Sequence, residues 1–142
     1  WNLQANASWL NAKYDEFISR GVNIADTQRF TNAPRWQAGL NSVYTLELSG
    51  GSSLAWQVGA TYQSEVWPTT DLSPAIREGG YGLVNSSLAW TSADARWRAS
   101  VWGRNLADKE YRTTGYNIAA LGILTGFYGA PREYGVTASY SF

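Results

Sequence analysis

Hydrophobic and polar residues take turns along most of this chain. Between Arg132 and Phe142, the residues Tyr134, Val136, Ala138, Tyr140 and Phe142 fall on one side. Glu133, Gly135, Thr137, Ser139 and Ser141 fall on the other. Side chains of a β-strand switch sides at each residue, so this alternation predicts a strand with one apolar and one polar surface. Five earlier stretches have the same period: Trp1 to about Tyr14, Arg35 to about Leu48, Leu54 to Glu65, Tyr81 to Thr91, and Arg96 to Leu106. In the first, Trp1, Leu3, Ala5, Ala7 and Trp9 oppose Asn2, Gln4, Asn6 and Ser8. In the third, Leu54, Trp56, Val58, Ala60 and Tyr62 oppose Gln57, Gly59, Thr61, Gln63 and Glu65. Leu83 and Trp102 stand on the polar side of the fourth and fifth. The predicted fold class is all-β, an antiparallel meander of about six amphipathic strands.

The connections alternate in length. Ser49 to Ser53 and Ser92 to Ala95 have the composition of tight turns. Asp15 to Pro34, Val66 to Gly80 and Ala107 to Pro131 are long. Short turns on one rim and long loops on the other mark an outer-membrane barrel, with the short side periplasmic and the long side extracellular. The aromatic residues follow the same division. Trp1, Tyr44, Trp56, Trp90, Trp97, Tyr140 and Phe142 fall near the short-turn ends, and Trp9, Trp36, Tyr62 and Tyr134 nearer the long-loop ends. Two such belts bracket a hydrocarbon slab. A soluble β-sandwich also alternates and also buries aromatics. Strands of about ten residues, the two belts and the uneven connections favour a section of a large transmembrane β-barrel. A lipocalin-like soluble barrel is disfavoured, because its enclosed face would here be the polar one.

Composition narrows the chemistry. Eleven basic and eleven acidic residues cancel, leaving no electrostatic footprint for nucleic acid. Histidine, cysteine and methionine are absent. The usual zinc, haem and iron–sulfur ligands are therefore missing, and neither a metal nor a cofactor is expected. Catalytic systems built on a histidine base cannot form, and no enzyme activity is expected. Asp15 and Glu16 are adjacent in a strand-like exit and point opposite ways, and Asp108 and Glu110 read as solvated loop residues. No apolar run approaches the roughly 18 residues of a membrane helix, which leaves a β-barrel open. The chain starts mid-pattern at Trp1 and reads as a piece of something longer.

Two further expectations come from the residues. Arg104 and Glu133 should be neighbours across adjacent strands, in a wet pair worth about 1 kcal/mol at most. Ile118 to Phe127 is nearly all apolar within a loop. It reads as a segment packed on other loops or as a ribbon extending the last strand, ahead of a substrate-contacting lid.

Asn105-Leu106-Ala107-Asp108-Lys109-Glu110-Tyr111 resembles the N-L-x-D-K-x-Y signature of TonB-dependent outer-membrane receptors. Gly129-Ala130-Pro131-Arg132-Glu133-Tyr134 resembles the G-x-P-R-x-Y/F start of their final strand, and Phe142 their terminal aromatic. Asn32-Ala33-Pro34-Arg35-Trp36 resembles a motif that opens an earlier strand. The resemblance implies that residues 1–142 are the C-terminal segment of such a receptor's barrel, whose complete form has about 22 strands and a plugged lumen. Nothing here matches the plug or the TonB box. The implied function is uptake of scarce nutrients, such as siderophores, cobalamin or oligosaccharides. The implied partners are outer-membrane lipid, the rest of the barrel and plug, the TonB complex through the missing N-terminal parts, and the assembly machinery that reads the terminal strand. Asn105, Leu106, Asp108, Lys109, Tyr111, Gly129, Pro131, Arg132 and Phe142 are expected to shape strand boundaries and assembly rather than bind substrate. In isolation, six strands leave two raw edges and an apolar face, so a self-associating sheet or fibril is the alternative.

Overall fold

The computed structural model describes all 142 residues. Its strands are β1 (Asn2–Trp9), β2 (Ile18–Ser19), β3 (Val22–Asn23), β4 (Trp36–Glu47), β5 (Ser53–Gln63), β6 (Tyr81–Thr91), β7 (Trp97–Arg104), β8 (Arg112–Ile118), β9 (Ile123–Tyr128) and β10 (Glu133–Tyr140). Six of them make one antiparallel sheet in the order β1-β4-β5-β6-β7-β10. These are the six alternating stretches, each paired with its neighbour in the series. The fold is all-β, as the alternation predicts.

Register carries the one-strand pattern across the whole sheet. Trp9 lies opposite Trp36, Ala7 opposite Ala38 and Ala5 opposite Leu40. Tyr44 pairs with Trp56, and Leu54 with Leu46 and Trp90. Leu88 and Val101 are partners, as are Val101 and Val136, and Trp97 and Tyr140. A one-residue slip at any ladder would turn a strand's apolar set to the wrong side. No slip occurs, so one face is apolar from β1 to β10. The other face gathers Gln4, Asn6, Asn41, Gln57, Asn85 and Ser100 along a groove of about 640 Å³.

Strand ends fall where the ladder loses a partner. The first strand stops at Trp9, short of the expected Tyr14. Leu10 still donates to the Arg35 carbonyl at 2.9 Å. The next partner along that register is Pro34, which has no N–H to give. β7 ends before Asn105, whose φ of 46° leaves the strand region, and so falls short of Leu106. The last strand ends at Tyr140 rather than Phe142. Ser141 still donates to Arg96 at 2.9 Å, and beyond it the facing residue is Ala95, at φ 58°.

The three long connections are not plain loops. The first contains the β2–β3 hairpin, the second a bridge between Val66 and Glu78, and the third the β8–β9 hairpin with a 3-10 turn at Ala119–Leu121. Of ten buried residues, only Ala89 and Gly103 belong to the six long strands. The sheet has no dry core. What core exists, centred on Ile76 at 1% exposure, lies among the loops.

Candidate functional site at the long-loop rim

The two family-like motifs meet in space. Asn105 sits just past β7 in the left-handed conformation that asparagine tolerates better than most residues. Its Oδ1 accepts from the Lys109 N–H at 2.9 Å. Its Nδ2 donates to the Lys109 carbonyl at 2.9 Å and to the Ala130 carbonyl at 3.1 Å. Its own N–H donates to Asn85 Oδ1, and Leu106 N–H donates to the Val84 carbonyl. Asp108, also left-handed, accepts from the Arg132 N–H at 3.3 Å and pairs with the Arg132 guanidinium at 3.3 Å. The carboxylate and amide thus bond nearby backbone, as their residue types suggest. They also bridge to the second motif some 25 residues on, which spacing alone does not reveal.

Tyr111 completes the junction. Its ring stacks on Tyr81 at 4.7 Å, and its carbonyl accepts from the Gly129 N–H at 2.9 Å. A Cβ at Gly129 would lie 2.0 Å from that ring, so only glycine admits the contact. The Tyr111 ring therefore packs within the protein. Leu106 lies over Gly103 beside Tyr134, on the apolar face. Pro131 precedes β10, where no ladder bond is needed from its nitrogen. The Lys109 side chain is exposed. At the opposite rim, Phe142 is fully exposed and sets its ring edge-on to Tyr140, which tilts against Trp97.

Above the junction, the β8–β9 ribbon seats one side on the connection from Val66 to Gly80. A Cβ at Gly115 would meet Ile76 at 3.0 Å, and Asn117 Nδ2 donates to Ser73 Oγ at 3.0 Å. Glu78 is buried and accepts from the Arg112 N–H at 3.1 Å. The Arg112 Nε lies 3.7 Å from the same carboxylate oxygen, and its guanidinium also donates to the Ala75 carbonyl. Gln28, buried in the first long loop, donates to the Thr70 carbonyl at 2.7 Å. The three loops therefore form one connected cap. The apolar stretch Ile118 to Phe127 is the outer part of the ribbon, where Ile118, Leu121, Ile123, Leu124 and Phe127 all remain exposed; the seat on the neighbouring loop is made instead by Arg112, Gly115 and Asn117.

The apparent fault at Trp102 has a local cause. Its ring lies over Gly135 on the next strand, where a Cβ would fall 2.2 Å from it. Its Nε1 donates to Thr137 Oγ1 at 3.3 Å, and the Arg104 guanidinium lies 5.1 Å from its ring. A tryptophan can face the polar groove because a glycine gives it a flat seat. Arg104 and Glu133 are direct cross-strand partners, as expected. They form no ion pair, and the cation stacks on Trp102 instead. No group of acidic residues is placed to hold a metal ion.

Residues 1–106 match the family model described as TonB dependent receptor-like, beta-barrel. No curated protein matches the sequence. Among solved structures, the ferric yersiniabactin uptake receptor FyuA from Yersinia pestis is similar, with a TM-score of 0.70 and 25% identity over 79% of this chain. The match spans 17% of that receptor's length. Asn105 and Leu106 lie inside the family match; Asp108, Lys109, Tyr111, Gly129, Pro131, Arg132 and Phe142 lie beyond it. Six strands in meander order, one continuous apolar face and a family match over three-quarters of the residues agree: the chain belongs to the TonB-dependent receptor-like β-barrel family.

Proposed function

We propose that residues 1–142 form the C-terminal part of the barrel wall of an outer-membrane active receptor. The plug and the TonB-contacting segment belong to the rest of that protein. The observation that carries this reading is the apolar face, which continues across five ladders with Ser42 and Ser86 as polar members and is bordered by aromatic residues at both rims. In water that surface would be costly; against hydrocarbon it needs no other partner. The cargo class is a scarce nutrient of the siderophore, cobalamin or oligosaccharide kind. The similarity to an uptake receptor for ferric yersiniabactin favours the siderophore type. The terminal strand β10 presents a free edge, which suits pairing with an assembly machine before the barrel closes.

The test is fractionation of the intact protein, followed by uptake of radiolabelled ferric siderophores, cobalamin and maltodextrins with and without an active TonB system. TonB-dependent accumulation of one class is expected. Recovery in the soluble fraction would sink the reading.

The isolated segment supports a second behaviour. β1 and β10 are both unpaired edges, and Val136 on the outer one is 77% exposed. Without detergent, copies are expected to associate through those edges and the apolar face. Analytical ultracentrifugation of the segment with and without detergent reads this directly; a monomer in plain buffer contradicts it.

A further inference from the structure

We propose that residues 1–142 on their own close with copies of themselves into a transmembrane pore, head to tail, with β10 of one copy paired to β1 of the next. The inference rests on the membrane reading above and concerns the two free edges of the sheet. In the longer receptor, other strands cover those edges.

The edges match in hydrogen bonding. Leu10 donates to Arg35 along the β1–β4 register, and Ser141 to Arg96 along the β7–β10 register. Backbone groups of an antiparallel strand turn to alternate sides from one residue to the next. Counted back in twos, Asn6 and Ser8 bond to β4, and Thr137 and Ser139 to β7. The groups left free belong to Leu3, Ala5, Ala7 and Trp9 on one edge and to Tyr134, Val136, Ala138 and Tyr140 on the other. Both sets lie on the apolar face. With six antiparallel strands, β1 of one copy runs opposite to β10 of its neighbour. Joining free group to free group therefore also joins apolar face to apolar face. Nothing guards either edge. Residues 1–12 and 134–142 include no charged side chain and no proline, and both ladders run without a register shift. Native edges are usually blocked by one of these devices.

Stagger and the aromatic belts select one register. A line of direct partners crosses the sheet from Leu3 through Ser42, Val58, Ser86 and Gly103 to Tyr134. It leaves near the short-turn rim and arrives at the long-loop rim. With Tyr134 set opposite Trp9 of the next copy, the line returns to β1 six positions higher (from 3 to 9) after six strands. One residue of stagger per strand is the ratio of eight-stranded barrels of shear eight, whose strands tilt by about 36°. The same register sets Phe142 beside Trp1 and Ala138 beside Ala5, so both aromatic belts continue across the seam. The wall resembles a receptor barrel in shape, at a TM-score of 0.70, and such transporters close at about 22 strands. Four six-stranded copies come nearest, at about 24 strands. Their polar faces line a bore wide enough for water, and balanced charge makes it weakly ion-selective.

The test refolds the 142-residue chain into phosphatidylcholine vesicles. Gln4→Cys combined with Ser139→Cys places one thiol at each edge, facing each other across the seam, in a chain that has no other cysteine. Mild oxidation should give a ladder on non-reducing gels that stops at the tetramer. Asn6→Cys with Ser139→Cys, two residues out of register, should link roughly tenfold less, because the Cα atoms then exceed disulfide reach. Ala138→Pro removes an N–H from the free edge and none from the β7–β10 ladder. It should lower linkage in the Gln4→Cys, Ser139→Cys chain about tenfold, the effect of one hydrogen bond. In planar bilayers the unmodified chain should open discrete, weakly selective steps. A ladder running past the tetramer, equal linkage in the shifted pair, or a membrane without conductance would overturn the ring. Should Ala138→Pro fail to fold, the two cysteine pairs decide alone. A chain that inserts and stays monomeric rejects the ring and leaves the membrane reading standing; a chain that never enters vesicles rejects both.

Discussion

The six-stranded wall and the loop cap obey different rules of stability. The wall buries almost nothing within the chain, and both its faces meet something outside it. Its order comes from backbone ladders, and its side chains are sorted by medium rather than packed against each other. The cap is the reverse. It holds Ile76, Glu78, Gln28 and Ser73 out of solvent and is tied by long-range side-chain bonds. Most wall positions therefore need only a residue that suits their medium, seats such as Gly135 excepted, whereas a cap position tolerates only residues that satisfy particular partners.

Adjacent residues of β5 give the largest expected effect. Val58→Lys places a charge at mid-strand on the apolar face and should cost roughly 2–4 kcal/mol, read by urea unfolding of the intact receptor in lipid. Gln57→Lys, one residue away on the groove side, should change stability by less than about 1 kcal/mol. Equal losses at the two sites would erase the distinction between the faces.

In the cap, Arg112→Ala leaves the buried Glu78 carboxylate without its cation. Full burial of such a pair makes this loss worth roughly 3–5 kcal/mol, and partial exposure of Arg112 lowers it to about 2 kcal/mol. The loss should stay local: protease cleavage within 66–80 and 112–128 should rise while the barrel keeps its heat-modifiable mobility. Loss of the barrel itself would show that cap and wall are one cooperative unit.

Asn105→Ala removes three side-chain bonds and strains a left-handed backbone, at a cost of about 1–2 kcal/mol. Asn105→Gly, which relieves the strain but not the lost bonds, should recover part of it in the same unfolding assay.

The smallest effect lies in the short turn. The Ser92 hydroxyl donates to Asp94 at 2.6 Å, and the Arg96 N–H donates at 3.1 Å. These bonds, the hydroxyl first, hold the Asp94 carboxyl below its ordinary value. A lowered value in the folded state favours folding above the ordinary carboxylate range, and that contribution fades as pH falls through the lowered value. Ser92→Ala should move the Asp94 titration upward, as followed by NMR; an unchanged titration would remove the hydroxyl from the account.

The wall was almost wholly legible in the sequence because the same contrast recurs at every second residue, and register only has to preserve it. Its boundaries were less legible. Trp9 ends β1 because Pro34 waits across the ladder, a fact about pairing rather than about the run Leu10 to Tyr14. The cap was illegible for a related reason. Ile76 meets Gly115, and Arg112 meets Glu78, across tens of residues with no period to announce them. Trp102 occupied both categories. It broke the alternation in one strand, and its explanation, Gly135, stood in another. The rim motifs were visible as residue types suited to leaving a strand, but not as two halves of one junction.

That junction bears on how such a receptor changes over evolutionary time. The segment between Lys109 and Ala130 departs and returns at two points fixed to each other by Asn105 and by the Asp108–Arg132 pair. Insertions, deletions or wholesale replacement inside it need not alter the spacing of the strands beneath. The outward ribbon can thus be rewritten while the strand spacing beneath it is inherited intact.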